Sequence, residues 1–318
     1  MRVLISGGAG FIGSHIAEAF LERSSQVLVL DNLSTGERGN LPEAAVFVLG
    51  DVTDGQHVHA LAADFAPDVV VHFAAQTSVE ASMLDPRLDA SVNVGGTLSL
   101  LLAAGASGCR RFIFASSSTV YGIPRRLPVR EDDPLQPIAA YGVSKLAGEH
   151  YVRVVGAAHG MTHVILRLGN VFGPRDSLSS RHAVTAFSHA LLAGKQPVIE
   201  WDGEQAKDYV FVKDVARAVV AAAERGDDQS FNIAGERSLS VREVLEKLAT
   251  ALGVEPRPRF APRRPGDVRR YVMDCSHAHE VLEWRPRTPL DEALSATVGW
   301  YRALLSPHSV RTPIRSAR

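Results

Sequence analysis

A tyrosine and a lysine stand four positions apart in the run Tyr141-Gly142-Val143-Ser144-Lys145. On a helix this spacing brings both side chains to one face. A tyrosine hydroxyl, whose reference pKa is about 10, is a poor base at neutral pH, and a neighbouring ammonium favours its phenolate form. The spacing predicts an acid–base pair in which Lys145 assists Tyr141, although the same spacing also occurs by chance on surface helices.

Hydroxyl side chains follow a predicted strand upstream of this pair. The apolar run 112–115 ends in Ser116, Ser117, Ser118 and Thr119, and ligands of open α/β sheets bind at the carboxyl ends of the strands. A hydroxyl there, with a tyrosine base and a lysine beside a nicotinamide cofactor, forms a set that can oxidise a secondary alcohol. A polar strand exit without a ligand is the alternative. The chain contains no G-x-S-x-G sequence, which argues against serine hydrolase chemistry.

A glycine-rich turn lies between the first predicted strand and the first predicted helix. Its glycines, Gly7, Gly10 and Gly13, have the spacing GxxGxxG. The first allows a tight turn, the second lets the backbone approach a pyrophosphate, and the third lets helix and strand pack closely. The helix then offers free N–H groups to the phosphates. The turn predicts a dinucleotide cradle, although a tight turn without a ligand has the same glycines.

Two carboxylates at the ends of the next strands favour the dinucleotide. Asp31 lies 18 residues beyond Gly13, where a carboxylate takes the ribose hydroxyls of the adenosine half and repels a 2′-phosphate. Asp51 ends the following strand and can hold the adenine amino group. The cofactor expected from these residues is therefore NAD rather than NADP.

Short apolar runs alternate with helical patterns through the first half of the chain, which predicts a mostly parallel sheet covered on both faces. We expect an α/β fold, a Rossmann-type doubly wound sheet with a smaller, interleaved C-terminal substrate lobe. The predicted division is a NAD-binding domain at 1–170, the lobe mainly at 171–305 and a flexible tail at 306–318. The expected strands are 3–5, 27–30, 46–49, 69–73, 112–115 and 164–168, and the expected helices include 60–65, 94–104 and 141–158.

The net charge, the apolar runs and the two cysteines of the chain exclude several classes of function. The chain has 34 basic and 35 acidic side chains, so nothing favours nucleic acid or an anionic membrane as a partner. It shows no run of about 18 apolar residues of the kind that spans a membrane. Cys109 and Cys275 are far apart and lie in no Cys/His cluster, which argues against a disulfide framework or a metal site and favours a cytoplasmic protein.

Taken in order, the motifs resemble the extended short-chain dehydrogenase/reductase family, and within it the UDP-glucose (UDP-galactose) 4-epimerase branch. The resemblance runs from Arg2 to about Asp291. The motifs that carry it are GGAGFIG at 7–13, DNLSTG at 31–36, Asp51-Val52, HFAA at 72–75, Asn93, SSSTVYG at 116–122, YGVSK at 141–145 and RLGNVFGPR at 167–175.

The resemblance implies roles for individual residues. Ser117 is the implied catalytic hydroxyl, Tyr141 the base and Lys145 the lysine beside the nicotinamide ribose. The implied reaction passes the proton of a sugar 4-hydroxyl to the tyrosine and hydride from C4 to NAD, and then returns hydride to the other face. The implied or expected cofactor contacts are Gly7, Gly10, Phe11, Ile12, Gly13, Asp31, Asn32, Ser34, Thr35, Gly36, Asp51, Val52, Phe73, Ala74, Ala75, Asn93, Tyr141 and Lys145.

The resemblance also implies substrate contacts in the C-terminal lobe. Asn170 falls where the family binds the nucleotide diphosphate. Lys207 and Arg264 match its two diphosphate cations, but the first is usually arginine, and lysine lacks the bidentate fork. Tyr271 falls on the position that gates the sugar pocket, where a bulky ring disfavours an N-acetyl group. Ser117 and Tyr141 complete the expected substrate set.

Several relatives share the scaffold. Nucleotide-sugar 4,6-dehydratases and decarboxylases carry acids just after the catalytic hydroxyl, where this chain has Ser118 and Thr119. Epimerisation needs no further group, which makes it the favoured activity. UDP-glucuronate 4-epimerase is the main alternative; a one-way 4-keto reductase and a non-catalytic NAD-binding regulator are further ones. The resemblance also implies a homodimer formed through the helices near 94–104 and 141–158.

Overall fold

The computed structural model of the chain describes residues 1–263 and 268–306. Within them, short apolar runs form strands and the longer periodic segments form helices. The strands are β1 (Arg2–Ser6), β2 (Gln26–Asp31), β3 (Val46–Leu49), β4 (Val69–His72), β5 (Arg111–Ser117), β6 (Thr162–Leu168), β7 (Asn170–Phe172), β8 (Val198–Glu200), β9 (Ala206–Phe211), β10 (Gln229–Ile233), β11 (Ser238–Ser240) and β12 (Arg259–Ala261). The helices are α1 (Phe11–Leu21), α2 (Gly55–Phe65), α3 (Val79–Leu84), α4 (Pro86–Ala90), α5 (Gly96–Ala106), α6 (Ala140–Ala158), α7 (Ala183–Leu192), α8 (Val212–Ala222), α9 (Val241–Leu252), α10 (Ser276–Val281) and α11 (Leu290–Leu305).

The central sheet has seven strands in the order β10-β6-β5-β4-β1-β2-β3, and every neighbouring pair is parallel. This confirms the predicted Rossmann-type class. The strand order reverses between β1 and β4, which opens a crevice at their carboxyl ends. Ligand-binding residues are expected at this crevice.

The seventh strand, β10, was not predicted from the sequence, because its residues mix polar and apolar types. It comes from the second half of the chain and pairs with β6, and α8, from the same half, packs against α1. Its Asn232 is fully buried and bonded to Tyr121. The two halves of the chain are therefore physically interleaved, while the division at residue 170 stays a prediction.

Side chains of each strand alternate between two apolar layers, as the pleat requires. In β1, Val3 and Ile5 belong to the layer that contains Phe20, whereas Leu4 belongs to the layer that contains Leu100. A third apolar cluster lies in the lobe, where α7, α9 and α11 pack together. The central sheet is thus covered on both faces, which leaves its strand ends for the site.

A continuous helical run, Pro86–Ala106, is 21 residues long and apolar enough to cross a membrane by length and composition alone, although the sequence shows no uninterrupted apolar segment. Buried core helices pass the same test, and 44% of its most apolar window is buried. The run comprises α4, a π-helical turn at Ser91–Gly95 and α5. It packs against α2 and α6, which places it beside the central sheet.

A buried ion pair connects three elements of the central sheet. Arg167 of β6 donates two hydrogen bonds to Glu149 of α6, at 2.9 and 2.8 Å, and Ser116 of β5 donates a third at 2.6 Å. The arginine and the glutamate are 2% and 0% exposed. Burial alone would raise the pKa of Glu149, but the bond and charge of Arg167 hold it below its usual value. The carboxylate is therefore ionised and binds α6 to the ends of β5 and β6.

We predict that Glu149→Ala lowers the free energy of unfolding by about 3–5 kcal/mol, because Arg167 would remain buried without its partner. The measurement is urea-induced unfolding of both proteins. The matched control is Glu224→Ala, which breaks the exposed pair with Arg23 and should cost at most about 1 kcal/mol. Equal losses in the two variants would contradict the role given to the buried pair.

Candidate active site

The glycine turn after β1 is closely packed against the chain that follows β4. Gly7 has a φ of +69°, and a Cβ on it would lie 2.5 Å from the Ala74 nitrogen. A Cβ on Gly13 would lie 2.2 Å from the Gly7 oxygen. Both positions therefore require glycine. Helix α1 begins at Phe11 with no side-chain cap and no acidic residue in its first turn, so its amino end suits a phosphate.

Asp31 connects this turn to the loop after β2. Its carboxylate is 7% exposed and accepts hydrogen bonds from the backbone of Ala9, at 2.9 Å, and of Leu33, at 2.8 Å. A Cβ on Gly36 would lie 2.9 Å from the Ala9 carbonyl carbon. The loop after β2, which carries the predicted cofactor contacts Asn32, Ser34, Thr35 and Gly36, thus begins and ends beside the glycine turn.

Asp51 lies beside the same loop. It accepts a hydrogen bond from Asn32 at 2.7 Å, and the backbone and hydroxyl of Thr53 also bond to it. The backbone bond from Thr53 is the main reason that its pKa lies below the usual value, with the Thr53 hydroxyl and Asn32 adding to it. Val52, next in sequence, is buried against the start of α5 at Gly96. The negative charge expected near an adenine is therefore present.

The predicted cofactor contacts Phe73, Ala74 and Ala75 follow β4 on the other side of the crevice. The Ala74 nitrogen donates a long hydrogen bond of 3.4 Å to Ser6. Asn93, in the π-helical turn, accepts a bond from the Gln76 nitrogen at 2.9 Å and donates to Ser144 at 3.1 Å. Asn93 therefore holds the chain after β4 against α6, and its contact with NAD stays a prediction.

The structure brings Ser117, Tyr141 and Lys145 to one place. Ser117 ends β5, and its hydroxyl accepts bonds from the nitrogen and hydroxyl of Thr119 at 3.2 and 3.1 Å. Tyr141 and Lys145 lie one turn apart on α6, with the lysine Nζ 6.0 Å from the tyrosine ring centre and 5.1 Å from that of Phe114. The arrangement can accept a proton from an alcohol held against the tyrosine.

Burial dominates the electrostatics of this trio. It raises the pKa of Tyr141 to about 12, while a hydrogen bond with Ser117 lowers it and the charge of Asp89 raises it. Burial lowers the pKa of Lys145 to about 8, against the opposing effect of Asp89. Burial thus disfavours the phenolate of Tyr141. The expectation that Lys145 favours this phenolate acts against burial and stays a prediction.

Lys145 fits a bound nucleotide cofactor. Its side chain is 4% exposed, and across residues 1–263 and 268–306 its Nζ contacts aromatic faces without a hydrogen bond to an acceptor. A buried ammonium without an acceptor is costly. Ribose hydroxyls placed in the crevice would supply the missing acceptors. Lys145 and Asp31 thus suit the two riboses of one dinucleotide, and the glycine turn suits the pyrophosphate between them.

The lobe approaches the catalytic turn through Tyr271, whose hydroxyl donates to the Ser118 carbonyl at 2.9 Å. Lys207 of β9 donates to the Val268 carbonyl at 3.2 Å, and Asn170 of β7 donates to the Asp208 carbonyl at 3.3 Å. Arg264 lies outside the described residues. The three described residues thus lie on the lobe, and their contacts with a substrate stay predictions.

Sequence reasoning missed Asp208, which is fully buried between Lys207 and Tyr209 in β9. It accepts bonds from the nitrogens of Gly235 and Met273 at 2.8 and 2.9 Å. Burial raises its pKa to about 7, against these bonds. Asp208 fixes the chain that carries Tyr271, and no motif marks a carboxylate in that structural role.

Comparison with known proteins decides the family. The sequence profile of the NAD dependent epimerase/dehydratase family matches residues 3–234. The chain belongs to this family. It is 40% identical to the UDP-glucose 4-epimerase of Mycolicibacterium smegmatis over 95% of this chain and 99% of that protein. The relationship confirms the expected family and its cofactor, NAD.

Solved structures of family members agree with the fold. The Thermotoga maritima UDP-glucose 4-epimerase, solved with UDP-glucose, is 36% identical, with a TM-score of 0.94 over 96% of this chain and all of that one. The Thermus thermophilus UDP-glucose 4-epimerase, solved with NAD, is 38% identical, with a TM-score of 0.89 over 95% of this chain and 99% of that one. Open α/β sheets bind their ligands where the strand order reverses, and the position of NAD in the crevice between β1 and β4 stays a prediction.

We predict that Asp31→Ala weakens NAD binding about 10- to 100-fold, because hydrogen bonds to a charged group contribute about 1.5–3 kcal/mol. The measurement is calorimetric titration of cofactor-free protein with NAD. Asp64→Ala, an exposed change on α2, is the matched control and should leave the affinity unaltered. Unchanged affinity in the Asp31 variant would show that this carboxylate does not bind the ribose.

Proposed function

We propose that the protein is a NAD-dependent UDP-glucose 4-epimerase that interconverts UDP-glucose and UDP-galactose. The observation that carries the proposal is that Ser117, at the end of β5, lies beside Tyr141 and Lys145, which are one turn apart on α6. Relatives named UDP-glucose 4-epimerase over nearly the whole chain support the choice of substrate. Each catalytic step assigned to a residue below is part of this proposal.

When bound, NAD would supply the acceptor for a hydride from the sugar C4 and the donor for its return. Tyr141 Oη accepts the proton of the sugar 4-hydroxyl, and Ser117 orients that hydroxyl through its own hydrogen bond. Because burial disfavours the phenolate, the tyrosine needs neighbouring positive charge. Lys145 supplies one such charge and the oxidised nicotinamide ring a second. The tyrosine gives the proton back when hydride returns to the opposite face.

The turn after Ser117 favours epimerisation over elimination. Ser118 uses its carbonyl to bind Tyr271, and the Thr119 hydroxyl donates to Ser117. Neither side chain is a carboxylic acid, so neither can protonate a leaving hydroxyl as dehydratase chemistry requires. The 4-keto sugar would therefore have no partner for elimination and would be reduced again.

Tyr271 and Lys207 support a preference for an unmodified hexose linked to a diphosphate. The tyrosine is 6% exposed and held by its bond to Ser118, so its ring leaves little room for an N-acetyl group. The lysine carries one charge without the planar fork of arginine, which suits phosphate binding with looser orientation. These two side chains would set the substrate range.

We infer that two copies associate through the outer faces of α5 and α6. These helices pack side by side and expose apolar side chains, with Val154 70%, Val143 54% and Leu102 51% accessible. A shared apolar stripe on adjacent helices suits a helix bundle between subunits.

A cytoplasmic location is also proposed, since Cys109 and Cys275 are free and buried.

The proposed activity is tested by incubating the purified protein with UDP-glucose, UDP-galactose, UDP-glucuronate and the N-acetylated pair, and separating the products. Equilibration of UDP-glucose with UDP-galactose is expected, with slower or no conversion of N-acetylated sugars. Conversion of the glucuronate alone would overturn the proposed substrate. Accumulation of a 4-keto-6-deoxy sugar would overturn the proposed reaction.

We predict that Tyr141→Phe lowers kcat by about 10²- to 10⁴-fold, the usual contribution of a positioned acid–base group. Binding of NAD should be kept, because the ring and Lys145 remain. The matched control is Tyr151→Phe on the outer face of the same helix, which should retain full turnover. Normal turnover by the Tyr141 variant would exclude this residue as the base.

We predict that Val154→Glu yields a monomer at micromolar concentration, since a buried charge would then lie in the helix interface. Sedimentation velocity measures the change. Val254→Glu, the same exchange at another exposed valine, beyond the end of α9, is the control and should stay dimeric. A parent protein that is already monomeric would refute the proposed interface.

A further inference from the structure

Asp89 of α4 is a buried carboxylate that the proposed reaction does not use. It is 1% exposed, and its Oδ1 accepts hydrogen bonds from the side-chain amides of Gln76, at 2.9 Å, and Asn93, at 3.0 Å. Both donors are neutral, and within residues 1–263 and 268–306 Asp89 forms no salt bridge. A buried charge needs an opposite charge nearby to offset its loss of hydration.

Lys145 of α6 is the complementary case, a buried ammonium outside any ion pair of the described chain. Helices α4 and α6 pack directly against each other. The Asn93 amide that bonds to Asp89 also bonds to Ser144, the residue before the lysine. Two opposite charges are thus buried in adjoining helices and joined through one asparagine.

We propose that Asp89 is the buried counter-charge that keeps Lys145 protonated. The side-chain amides of Gln76 and Asn93 occupy the Asp89 carboxylate with hydrogen bonds. The carboxylate therefore does not form a contact ion pair with Lys145, and the ammonium remains available to a ligand in the crevice. Asp89 is accordingly a positioning residue, and the proposal rests on the proposed function only in the use made of Lys145.

The effects of the Asp89 charge on the pKa values of Lys145 and Tyr141 support this assignment. Asp89 is the charged group that opposes the lowering of the Lys145 pKa by burial, and it also raises the pKa of Tyr141. Burial and the lysine charge lower the pKa of His72 to about 3, so this neighbour is neutral. The remaining titratable groups on the elements packed around Asp89 and Lys145 are exposed or paired elsewhere: Glu80, Asp85, Arg87, Arg111, Tyr121, Glu149, His150, Tyr151, Arg153, His163 and Arg167.

The direction of the effect follows from the sign of the charge. Removing the negative charge of Asp89 destabilises the ammonium, so Lys145 loses its proton at a lower pH. The same change favours the phenolate of Tyr141. Both limbs of the pH profile of kcat should therefore move to lower pH, whereas a purely structural loss would reduce kcat without moving them.

The chain has five lysines, which makes a direct test practicable. Protein labelled with ¹³C at lysine Cε gives one signal for each lysine, and the signal missing from Lys145→Arg identifies the residue. We expect its titration midpoint to fall by about one pH unit or more in Asp89→Asn, since opposite charges shift pKa values by that much. Asp89→Ser, a smaller neutral variant, tests the same point should the amide not be accommodated.

Two controls separate charge from structure. Asp89→Glu keeps the charge and should retain the parent midpoint of Lys145. Asp85→Asn removes a carboxylate charge at an exposed position one turn earlier on the chain and should also retain this midpoint. An unchanged Lys145 midpoint in both neutral Asp89 variants would overturn the proposal. The titration needs neither substrate nor turnover, so it can fail in an active epimerase and succeed in a protein with another activity.

Discussion

The bidentate pair between Arg167 and Glu149 is the interaction on which the catalytic geometry depends. Each partner is buried, so neither tolerates the loss of the other. Because Ser116 also bonds to the glutamate, the end of β5 is fixed relative to α6 within one set of hydrogen bonds. Ser117 and Tyr141 are neighbours for that reason, although they come from different elements and lie 24 positions apart in the sequence. The same arginine bonds to Tyr121, which anchors the turn between them.

Around this ion pair, burial and hydrogen bonding determine which side chains of the site are charged and which are neutral. His72 is bonded to Ser6 and Thr97 and stays uncharged, so it adds no positive charge beside Lys145. Burial disfavours the phenolate of Tyr141, and positive charge in the crevice would favour it. The proposed role of Tyr141 as the base would therefore depend on the charge of the bound, oxidised cofactor.

The site residues that could be predicted from the sequence are those whose spacing within a single turn or helix is distinctive. Gly7 and Gly13 are recognisable because a turn next to a strand and a helix requires them, and Tyr141 and Lys145 because a helix sets their spacing. Asp89 and Asp208 were not recognisable, because burial of a carboxylate depends on elements that meet only in the fold. The effect of burial on the pKa of Tyr141 was not recognisable for the same reason: the sequence shows the lysine beside it but not the loss of hydration.

The edge strand β10 determines when the central sheet can be completed during synthesis of the chain. Residues 229–233 complete a sheet whose other six strands end at residue 168, so a nascent chain that has emerged only through β6 presents an unpaired parallel edge. Arg167 would also lack the Tyr121–Asn232 contact that connects it to that strand. The seven-stranded sheet is therefore completed only after residues 171–228 of the second half have been synthesised.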